Sequence, residues 1–521
     1  MTPVPAFPST VGQILSRSAR RVPARVALRV GAREWTYAQL DAAVGRVAAQ
    51  LLADGARPGD RIAAYGKNSD AYLALYLACA RAGLVHVPVN FNATGDELAY
   101  LLTQSGAAAV FVDPALAANV DAIADRLDAG VRRGTLRDGA GPARDVLAWM
   151  ADPAAPVHEE DGVGDDDLVQ LLYTSGTTSL PKGAMMTHRA FVHEYVSCIV
   201  GLGLHEDDAP LHALPLYHSA QMHVFLLPYL AVGATNTLVE APDPADILRR
   251  VEEDGIDSVF VPPTVWVAIA GHPDLATRDL AGLRKAFYGA SIMPVPVLEK
   301  LIERLPDVAF YNCFGQSEIG PLATILQPHE HAARPDSVGR AALFVETRVV
   351  DDAMNDVQPG ELGEVVYRSP QLCRGYWEKP QETAEAFAGG WFHSGDLVRV
   401  DEEGYLFVVD RIKDVINTGG VLVASREVED ALFRHDAVAE VAVIGLPHER
   451  WIEAIAAVVV LADGATVTED ELIAHARGGL AAHKVPKSVH VVPEIPKNAS
   501  GKILKRELRE QLGGAGSAIG R

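Results

Sequence analysis

Helix-like and strand-like patterns alternate along most of this chain, and this alternation limits the fold more than any other feature. Apolar residues recur at helical spacing from Thr36 to Ala53 and again from Ala71 to Ala82. Short apolar runs typical of buried strands follow them, at Arg61 to Tyr65 and at Val85 to Val89. The same order returns at Ala107 to Val112, Ala245 to Glu253 and Ser258 to Val261. The pattern predicts a layered α/β fold.

The chain is too long for one hydrophobic core, since 521 residues exceed what a single core normally serves. From Glu361 onward the predicted strands become shorter and are separated by Gly and Asp turns. After Asp410 we predict a compact unit with helix Ser425 to Arg434, strands Val438 to Gly445 and Ala454 to Leu461, and helices Thr468 to Leu480 and Ile503 to Leu512. We therefore expect a large N-terminal domain of several subdomains over residues 1–411 and a small α+β domain over residues 412–521.

Charge and cysteine content limit the partners and the compartment. The formal net charge of −22 argues against a nucleic-acid partner, whose phosphates would be repelled. The four cysteines are scattered without the spacing of a disulfide framework or a zinc site, which favours a reducing cytoplasm. The best apolar run, Val224 to Ala231, is broken by Pro228 and is shorter than the roughly 20 residues that span a bilayer. We expect a cytoplasmic protein without an integral membrane segment, and we interpret the stretch from Asp128 to Asp167 as a surface excursion.

A polar loop follows the apolar run Leu168 to Leu172 and reads YTSGTTSLPKG from Tyr173 to Gly183. A polyphosphate needs short-range donors, close backbone approach and a nearby cation, and this loop offers all three. The candidate residues are Thr174, Ser175, Gly176, Thr177, Thr178 and Lys182. The loop differs from the common GxxxxGK[ST] phosphate loop because Lys182 precedes its glycine. It predicts a nucleotide site.

This loop resembles the S-G-T-T-G-x-P-K-G motif of the adenylate-forming superfamily, which includes acyl-CoA synthetases, carrier-protein adenylation domains and beetle luciferases. Ser179 stands where the superfamily usually has glycine. The resemblance extends over nearly the whole chain. It implies a large adenylate-forming domain followed by a small mobile domain that carries a catalytic lysine, with ATP and CoA as substrates and Mg²⁺ as the metal.

A second polar segment, YNCFGQSEIGPLAT from Tyr311 to Thr324, resembles the superfamily motif N-x-Y-G-x-T-E. The resemblance implies that Asn312 binds the adenine edge, that Phe314 stacks on the adenine and that Glu318 ligates Mg²⁺. Gly315 matches the motif glycine, and Ser317 keeps the phosphate-facing hydroxyl. The preceding strip FYGAS resembles the part of the site along the adenine and the acyl chain, and it contributes Gly289 and Ala290.

The later motifs of the superfamily are also present. By resemblance, Asp396 of WFHSGD binds both ribose hydroxyls, Arg411 donates to the same ribose and Lys413 is the hinge. Gly419 and Gly420 match the loop that lines the pantetheine tunnel for CoA, where missing side chains leave room. The next positions depart from the usual G-E-N-x-Y-P, with Val421, Leu422, Ala424 and Ser425 in their place.

The segment PKNASGKILK resembles the P-K-x-x-x-G-K motif and implies that Lys502 is the catalytic lysine. The acyl pocket is expected from four segments, Pro215 to Met222, Val261 to Trp266, Tyr288 to Ala290 and Pro321 to Thr324. Its candidate residues are His218, Met222, Tyr288, Pro321 and Leu322. His218 matches a histidine that gates this pocket in relatives, although a core-facing histidine is the competing interpretation. His329 and His331 are interpreted as a surface turn.

The implied reaction activates a carboxylic acid with ATP to an acyl-adenylate and then transfers the acyl group to CoA. The expected catalytic residues are Lys502, Glu318, Lys182 and His218. Relatives that activate amino acids place the carboxylate that binds the α-ammonium in the region between Asp208 and Glu240, where this chain has no acidic residue. The resemblance therefore implies an acid without an α-ammonium group, either fatty, of medium to long chain, or aromatic.

Two alternatives remain open from the sequence. One is an adenylating enzyme that loads a carrier protein, and the other is a non-catalytic nucleotide-binding regulator. The partners expected are small molecules, with a homodimer possible.

Overall fold

The computed structural model describes residues 8–137, 144–174, 180–291, 293–462, 464–497 and 503–513. The chain divides into two compact units. The first unit comprises Met1–Pro335, Gly339–Glu346 and Tyr367–Phe392, and the second comprises Asp336–Val338, Thr347–Val366 and His393–Arg521. The domain boundary expected between residues 411 and 412 stays a prediction.

A nine-stranded sheet in the first unit is mainly parallel. In spatial order its strands are Arg340–Ala341, Thr324–Leu326, Ala309–Phe314, Lys285–Gly289, Ser258–Phe260, Pro210–His212, Asn236–Leu238, Val26–Val30 and Arg33–Thr36. The strands at the two ends run antiparallel to their neighbours. Side chains of the sheet such as Val259 and Ala286 pack with Leu248 and Leu298 of the helices in one buried cluster. This is the layered α/β arrangement predicted from the alternation.

The other sheet of the first unit has six strands and leads directly to the predicted phosphate loop. Its order is Arg132–Thr135, Ala107–Val112, Arg61–Tyr65, Val85–Val89, Leu168–Thr174 and Lys182–Thr187. The last strand runs antiparallel to the one before it, whereas the other pairs are parallel. Its core joins strand residues such as Val87 and Leu171 to Leu98 of a helix.

The helices of the first unit form where apolar residues recur every three or four positions. Thr36 begins one of them with a capping box, in which its hydroxyl accepts from the Gln39 N–H and the Gln39 side chain accepts from the Thr36 N–H. The described helices are Gly12–Arg21, Tyr37–Ala53, Asp70–Arg81, Gly95–Gln104, Ala117–Asp121, Val146–Ala151, His188–Gly201, Leu227–Val232, Pro244–Glu253, Pro263–Gly271, Asp274–Thr277, Val295–Arg304 and Pro380–Ala386. A π-helical segment, Ala220–Leu226, precedes Leu227–Val232.

The second unit contains shorter strands and fewer helices in its described part. Most of a four-stranded sheet lies in it, in the order Glu346–Val350, Leu362–Arg368, Phe392–Val400 and Leu406–Arg411. A five-stranded sheet follows, with strands Ile416–Thr418, Val421–Val423, Val438–His448, Ile452–Leu461 and Ser488–Val491. Its helices are Ser425–Phe433, Glu469–Gly479 and Lys505–Gly513. The small α+β unit predicted after Asp410 therefore has the expected elements.

One expectation for a loop is modified by the structure. The stretch from Asp128 to Asp167 is more than a surface excursion, because its strand Arg132–Thr135 pairs in parallel with Ala107–Val112 and helix Val146–Ala151 contributes the buried Met150. The sequence pattern does not reveal this strand, since none of its four residues is buried and two of them are arginines. All four cysteines are free and buried. Among the described residues, no helix is both long enough and apolar enough to cross a membrane.

Candidate functional site

Glu318 lies at the meeting point of the two polar motifs. It follows the strand Ala309–Phe314 in a short turn, and only 7% of it is exposed. Its Oε1 accepts one hydrogen bond from the Thr174 hydroxyl at 3.0 Å and another from the Tyr376 hydroxyl at 3.0 Å. The structure therefore brings together Thr174 and Glu318, which the sequence placed in separate motifs.

The ends of the predicted phosphate loop are held in register. Thr174 and Lys182 are opposite each other at the end of an antiparallel strand pair. The ammonium of Lys182 lies 4.3 Å from the centroid of the Tyr376 ring, within the range of a cation–π contact. Ser175, Gly176, Thr177 and Thr178 lie outside the described residues, so their phosphate-binding role stays a prediction.

Tyr376 is a site residue that the sequence reasoning missed. Its segment lies beside the strand Lys182–Thr187, with a backbone hydrogen bond from Met185 to Gly375 at 2.9 Å. The neighbouring Cys373 N–H donates to the Glu318 carbonyl at 2.8 Å. The only sequence signal was an aromatic residue beside glycine in RGYW, which does not reveal a contact with a motif 58 residues away.

The adenine-binding candidates lie at the carboxyl ends of two adjacent parallel strands, where α/β sheets commonly bind ligands. Tyr288 is opposite Asn312, and Gly289 is opposite Cys313. A Cβ atom on Gly289 would lie 2.1 Å from the Cys313 carbonyl oxygen, so the two strands approach closely only because this residue is glycine.

The following residues show why the chain turns at these strand ends. Ala290 adopts a φ of 64°, which is uncommon for a residue other than glycine. Gly315 adopts a φ of 154°, and a Cβ atom there would lie 2.0 Å from the Pro321 carbonyl oxygen. Phe314 ends its strand just before this turn. Gly289, Ala290, Asn312, Phe314 and Gly315 therefore share one edge of the sheet, and their contacts with adenine stay predictions.

Ser317 connects the phosphate motif to the predicted acyl pocket. Its hydroxyl lies 2.8 Å from the Ser219 hydroxyl, within hydrogen-bonding distance. Ser219 immediately precedes the π-helical segment Ala220–Leu226, which contains the fully buried Met222. Segments of π-helix occur often at functional sites. This contact places Ser219, which lies in the predicted acyl-pocket segment Pro215 to Met222, beside Ser317 of the predicted nucleotide motif.

The acyl-pocket candidates are largely buried in the first unit. Met222, Tyr288, Pro321 and Leu322 are buried, whereas His218 is half-buried. The His218 ring lies 4.6 Å from the ring of Tyr217, centroid to centroid. Substrate contacts of these five residues stay predictions.

Tyr288 is held by a histidine that was interpreted wrongly from the sequence. Its hydroxyl lies 2.9 Å from Nε2 of His331, and Nδ1 of His331 lies 2.9 Å from the Gln327 carbonyl. A carbonyl only accepts, so Nδ1 carries the proton and Nε2 accepts from Tyr288. Burial lowers the pKa of His331, which favours this neutral form. His331 lies in a turn, but only 3% of it is exposed, so its side chain is buried and not at the surface, whereas His329 is exposed.

The ribose-binding candidates of the second unit form an ion pair. Asp396 and Arg411 are opposite each other on antiparallel strands. Nη1 of Arg411 donates to Oδ1 of Asp396 at 2.6 Å and to the Ser394 carbonyl at 3.1 Å. The hydroxyl of Ser394 also accepts from the Asp396 N–H at 3.0 Å. The structure therefore brings these two predicted residues together, while their contact with ribose stays a prediction.

The predicted hinge and tunnel residues follow directly along the chain. Lys413 lies in a single helical turn, Ile412–Asp414, and Asp414 accepts from Arg509 at 2.7 Å. Gly419 and Gly420 form a two-residue turn with φ values of 67° and 89°, which suits glycine. Their roles in domain motion and CoA binding stay predictions.

Lys502 lies outside the described residues, and its catalytic role stays a prediction. The described residues on either side are paired, since Lys497 and Ile503 form an antiparallel bridge. The Leu504 N–H also donates to the Pro496 carbonyl at 2.9 Å.

The donor set around Glu318 fits magnesium better than a metal that needs several protein ligands. Within the described part of the chain, no group of three or more His, Cys, Asp or Glu side chains could hold a metal ion. Magnesium is usually held by one or two carboxylates together with waters and substrate phosphates. One buried carboxylate beside a predicted phosphate loop meets that requirement.

Two family models match this chain. One, described as AMP-binding enzyme, covers residues 15–377, and the other, described as AMP-binding enzyme C-terminal domain, covers residues 427–502. Among curated relatives, the feruloyl-CoA synthase of Amycolatopsis sp is 40% identical over 497 residues, which is 95% of this chain and 98% of the relative. The indoleacetate–CoA ligase of Aromatoleum aromaticum is 34% identical over 95% of this chain and 97% of the relative.

The fold is also similar to that of solved structures. The crystal structure of the anthranilate CoA ligase AuaEII in complex with anthranoyl-AMP matches with a TM-score of 0.91 and 25% sequence identity. The match covers 98% of this chain and 99% of that chain.

Proposed function

The chain belongs to the family of AMP-binding enzymes and is an acid–thiol ligase, and we propose that its substrate is an aromatic carboxylic acid. The observation that carries the adenylation chemistry is the convergence of Thr174 and Tyr376 on Glu318, with the Lys182 ammonium over the Tyr376 ring. The aromatic preference is supported by the two relatives, which are named for ferulate and indoleacetate.

The first half-reaction makes the carboxylate a usable electrophile. A carboxylate oxygen attacks the α-phosphorus of ATP, a new P–O bond forms, and the bond to pyrophosphate breaks. Negative charge is spread over phosphate oxygens throughout, so the protein acts mainly by positioning and by electrostatic stabilisation. Lys182 and Lys502 would supply positive charge, and the Thr174 hydroxyl, which donates to Glu318, would hold that carboxylate in place.

Glu318 would hold Mg²⁺, which neutralises phosphate charge when it is bound. The hydroxyls of Thr174 and Tyr376 both donate to the same oxygen, Oε1, and so fix the plane of the carboxylate. In the second unit, the Asp396 carboxylate, which is held by Arg411, would accept hydrogen bonds from the ribose hydroxyls.

In the second half-reaction the thiol sulfur of CoA attacks the acyl carbon. A C–S bond forms, the C–O bond to AMP breaks, and the thiol proton is lost to solvent. Gly419 and Gly420 would leave space for the thin pantetheine arm, because neither glycine carries a side chain.

The residues proposed for the acyl pocket are mostly apolar and buried. Met222, Tyr288 and Leu322 are buried in the first unit. The Tyr288 hydroxyl is already hydrogen-bonded to His331, so the ring and not the hydroxyl would contact the acid. The segment between Asp208 and Glu240 has no acidic side chain to pair with a substrate ammonium. These features favour an aromatic acid over an amino acid.

The test is a panel of acids assayed by hydroxamate trapping of acyl-adenylates, from acetate to palmitate and including benzoates, cinnamates and indoleacetate. We expect the highest kcat/KM among the aromatic acids. A preference for palmitate or another fatty acid would contradict the aromatic assignment. Comparing CoA with an acyl-carrier protein as acceptor then tests the thioester step, and transfer to the carrier protein alone would contradict the CoA assignment. The absence of acid-dependent pyrophosphate exchange with every acid would contradict the adenylation chemistry itself.

A further inference from the structure

The carboxyl of Glu194 lies in the core of the first unit and contacts the backbone that follows Glu318. Glu194 belongs to the helix His188–Gly201 and is 0% exposed. Its Oε1 accepts a hydrogen bond from the Leu322 N–H at 2.9 Å and a weaker one from the Cys198 thiol at 3.4 Å. Burial raises the pKa of this carboxyl well above its usual range. A helix position that only needed to pack would usually carry an apolar side chain.

Gln371 completes this arrangement from a different segment. It is also 0% exposed, and its Nε2 donates to Oε2 of Glu194. The same nitrogen lies 3.2 Å from the Ile319 carbonyl oxygen and 3.1 Å from the Leu322 carbonyl oxygen. Its Oε1 accepts from the Ser197 hydroxyl at 2.6 Å. Glu194 and Gln371 therefore bind three backbone groups of one short loop.

That loop, residues 318–322, depends on these side chains because it lies between two regular elements. Its first two residues belong to the turn Ser317–Ile319, and the strand Thr324–Leu326 follows it. A buried backbone group without a partner is costly, so the side chains replace the partners that a helix or sheet would supply. The contact is close, since a Cβ atom on Gly320 would lie 2.9 Å from Oε2 of Glu194.

The loop joins two parts of the proposed site. Glu318 at its start accepts from Thr174 and Tyr376, and Pro321 and Leu322 at its end belong to the proposed acyl pocket. We propose that Glu194 and Gln371 are positioning residues that hold the Glu318 carboxylate and the acyl-pocket wall in one geometry. This inference rests on the proposed function.

The first experiment replaces each buried polar side chain with an apolar one of similar size. Glu194→Leu and Gln371→Leu are compared with the wild type by acid-dependent ATP–pyrophosphate exchange. A misplacement of about 1 Å can lower a rate by roughly a hundredfold, so we expect kcat/KM for the acid to fall by roughly tenfold to a hundredfold. The KM for the acid and the half-saturating Mg²⁺ concentration should rise together, since one loop carries both contacts.

A conservative variant and a matched control separate positioning from general destabilisation. Glu194→Gln keeps a carbonyl oxygen for the Leu322 N–H but replaces the oxygen that accepts from Gln371 with an NH2 donor, so it should recover only part of the lost activity. Tyr195→Phe removes a buried hydroxyl from the same helix, but that hydroxyl contacts His223 at 2.8 Å and not the loop. We expect Tyr195→Phe to leave the acid KM and the Mg²⁺ requirement unchanged. All variants are assayed below the onset of thermal unfolding, measured by circular dichroism.

The outcomes distinguish this inference from the proposed function. A folded Glu194→Leu or Gln371→Leu variant with wild-type KM for the acid and a wild-type Mg²⁺ requirement would overturn the positioning role. Equal changes in Tyr195→Phe would overturn it as well. If Glu194→Leu does not fold, Glu194→Gln and Gln371→Leu still decide the question. A wild-type enzyme that shows no exchange with any acid would instead overturn the proposed function.

Discussion

Thr174 donates its hydroxyl proton to Oε1 of Glu318 at 3.0 Å, although 144 residues separate them along the chain. Thr174 ends the strand Leu168–Thr174 of the six-stranded sheet, and Glu318 follows the strand Ala309–Phe314 of the nine-stranded sheet. The contact therefore connects the two sheets within the first unit. It therefore makes the geometry of the proposed phosphate site depend on the packing of both sheets.

Glu318→Gln should raise the Mg²⁺ concentration needed for half-maximal pyrophosphate exchange. The substitution keeps the shape of the side chain but removes the negative charge that a hard cation prefers. Titrating Mg²⁺ at fixed ATP measures the effect. Glu299→Gln, which changes an exposed glutamate of the same unit, is the charge-matched control. An unchanged titration curve for Glu318→Gln would exclude this residue as the ligand.

Tyr376→Phe should lower kcat for adenylation by roughly tenfold, the order expected when one hydrogen bond to a charged group is lost. The ring that faces the Lys182 ammonium is retained in this variant. Tyr376→Leu removes the ring as well and should lower kcat further. Steady-state kinetics with ATP as the varied substrate measure both variants. Equal rates for wild type and Tyr376→Phe would show that the hydroxyl does not contribute.

Lys502→Ala should slow acid-dependent pyrophosphate release by on the order of a hundredfold, as expected for loss of one preorganised donor to transition-state charge. The same variant should still convert a supplied acyl-adenylate to the CoA thioester, because the proposed role is confined to the first half-reaction. Each half-reaction is measured separately. Equal loss in both would contradict this role for Lys502.

Gly289→Ala should destabilise the first unit by about 1 to 3 kcal/mol, the usual range for overpacking. Its new Cβ atom would lie 2.1 Å from a carbonyl oxygen of the adjacent strand. Gly478→Ala is the matched control, because nothing lies within 4 Å of a Cβ atom at that helical position. Thermal unfolding of both variants measures the difference. A Gly289→Ala protein as stable as Gly478→Ala would contradict the close strand approach.

His188 should make the first unit sensitive to acid. Burial lowers the pKa of His188 to about 4, and its Nδ1 accepts from the Val11 N–H at 3.1 Å. Since the unfolded pKa is about 6.5, the unfolded state binds the proton more readily, and stability is lost as pH falls from about 6.5 through 4. His188→Gln should flatten this dependence in denaturant titrations at several pH values. A slope identical to that of the wild type would show that His188 does not titrate on unfolding.

The sequence predicted regular elements well where burial is continuous and the ends are marked. The strands Arg61–Tyr65, Val85–Val89 and Ala107–Val112 have the predicted bounds, because short apolar runs ended by turns have few other structures. The strand Arg132–Thr135 was missed, since it lies at a sheet edge and carries two arginines. Its pairing is determined by the neighbouring strand and not by its own pattern.

The candidate site shows the same division between local and tertiary signals. Glu318, Asp396 and Arg411 lie in motifs that can be recognised in the sequence. In the structure each of them has a hydrogen-bond partner. Tyr376 and Glu194 were missed because their contacts come from segments far away in sequence. A tyrosine after glycine and a glutamate inside a helix are ordinary until the fold places them beside a loop.

The strand register between Thr174 and Lys182 has a consequence for how this protein can change. Since these residues are opposite each other in the strand pair, the separation of their backbones is set by the sheet. Insertions or deletions among positions 175–181 would change the length of the segment that joins Thr174 to Lys182, but not the pairing of these two residues. The proposed phosphate contacts of this segment would therefore change with its length, while the strand pair that holds its two ends stays the same.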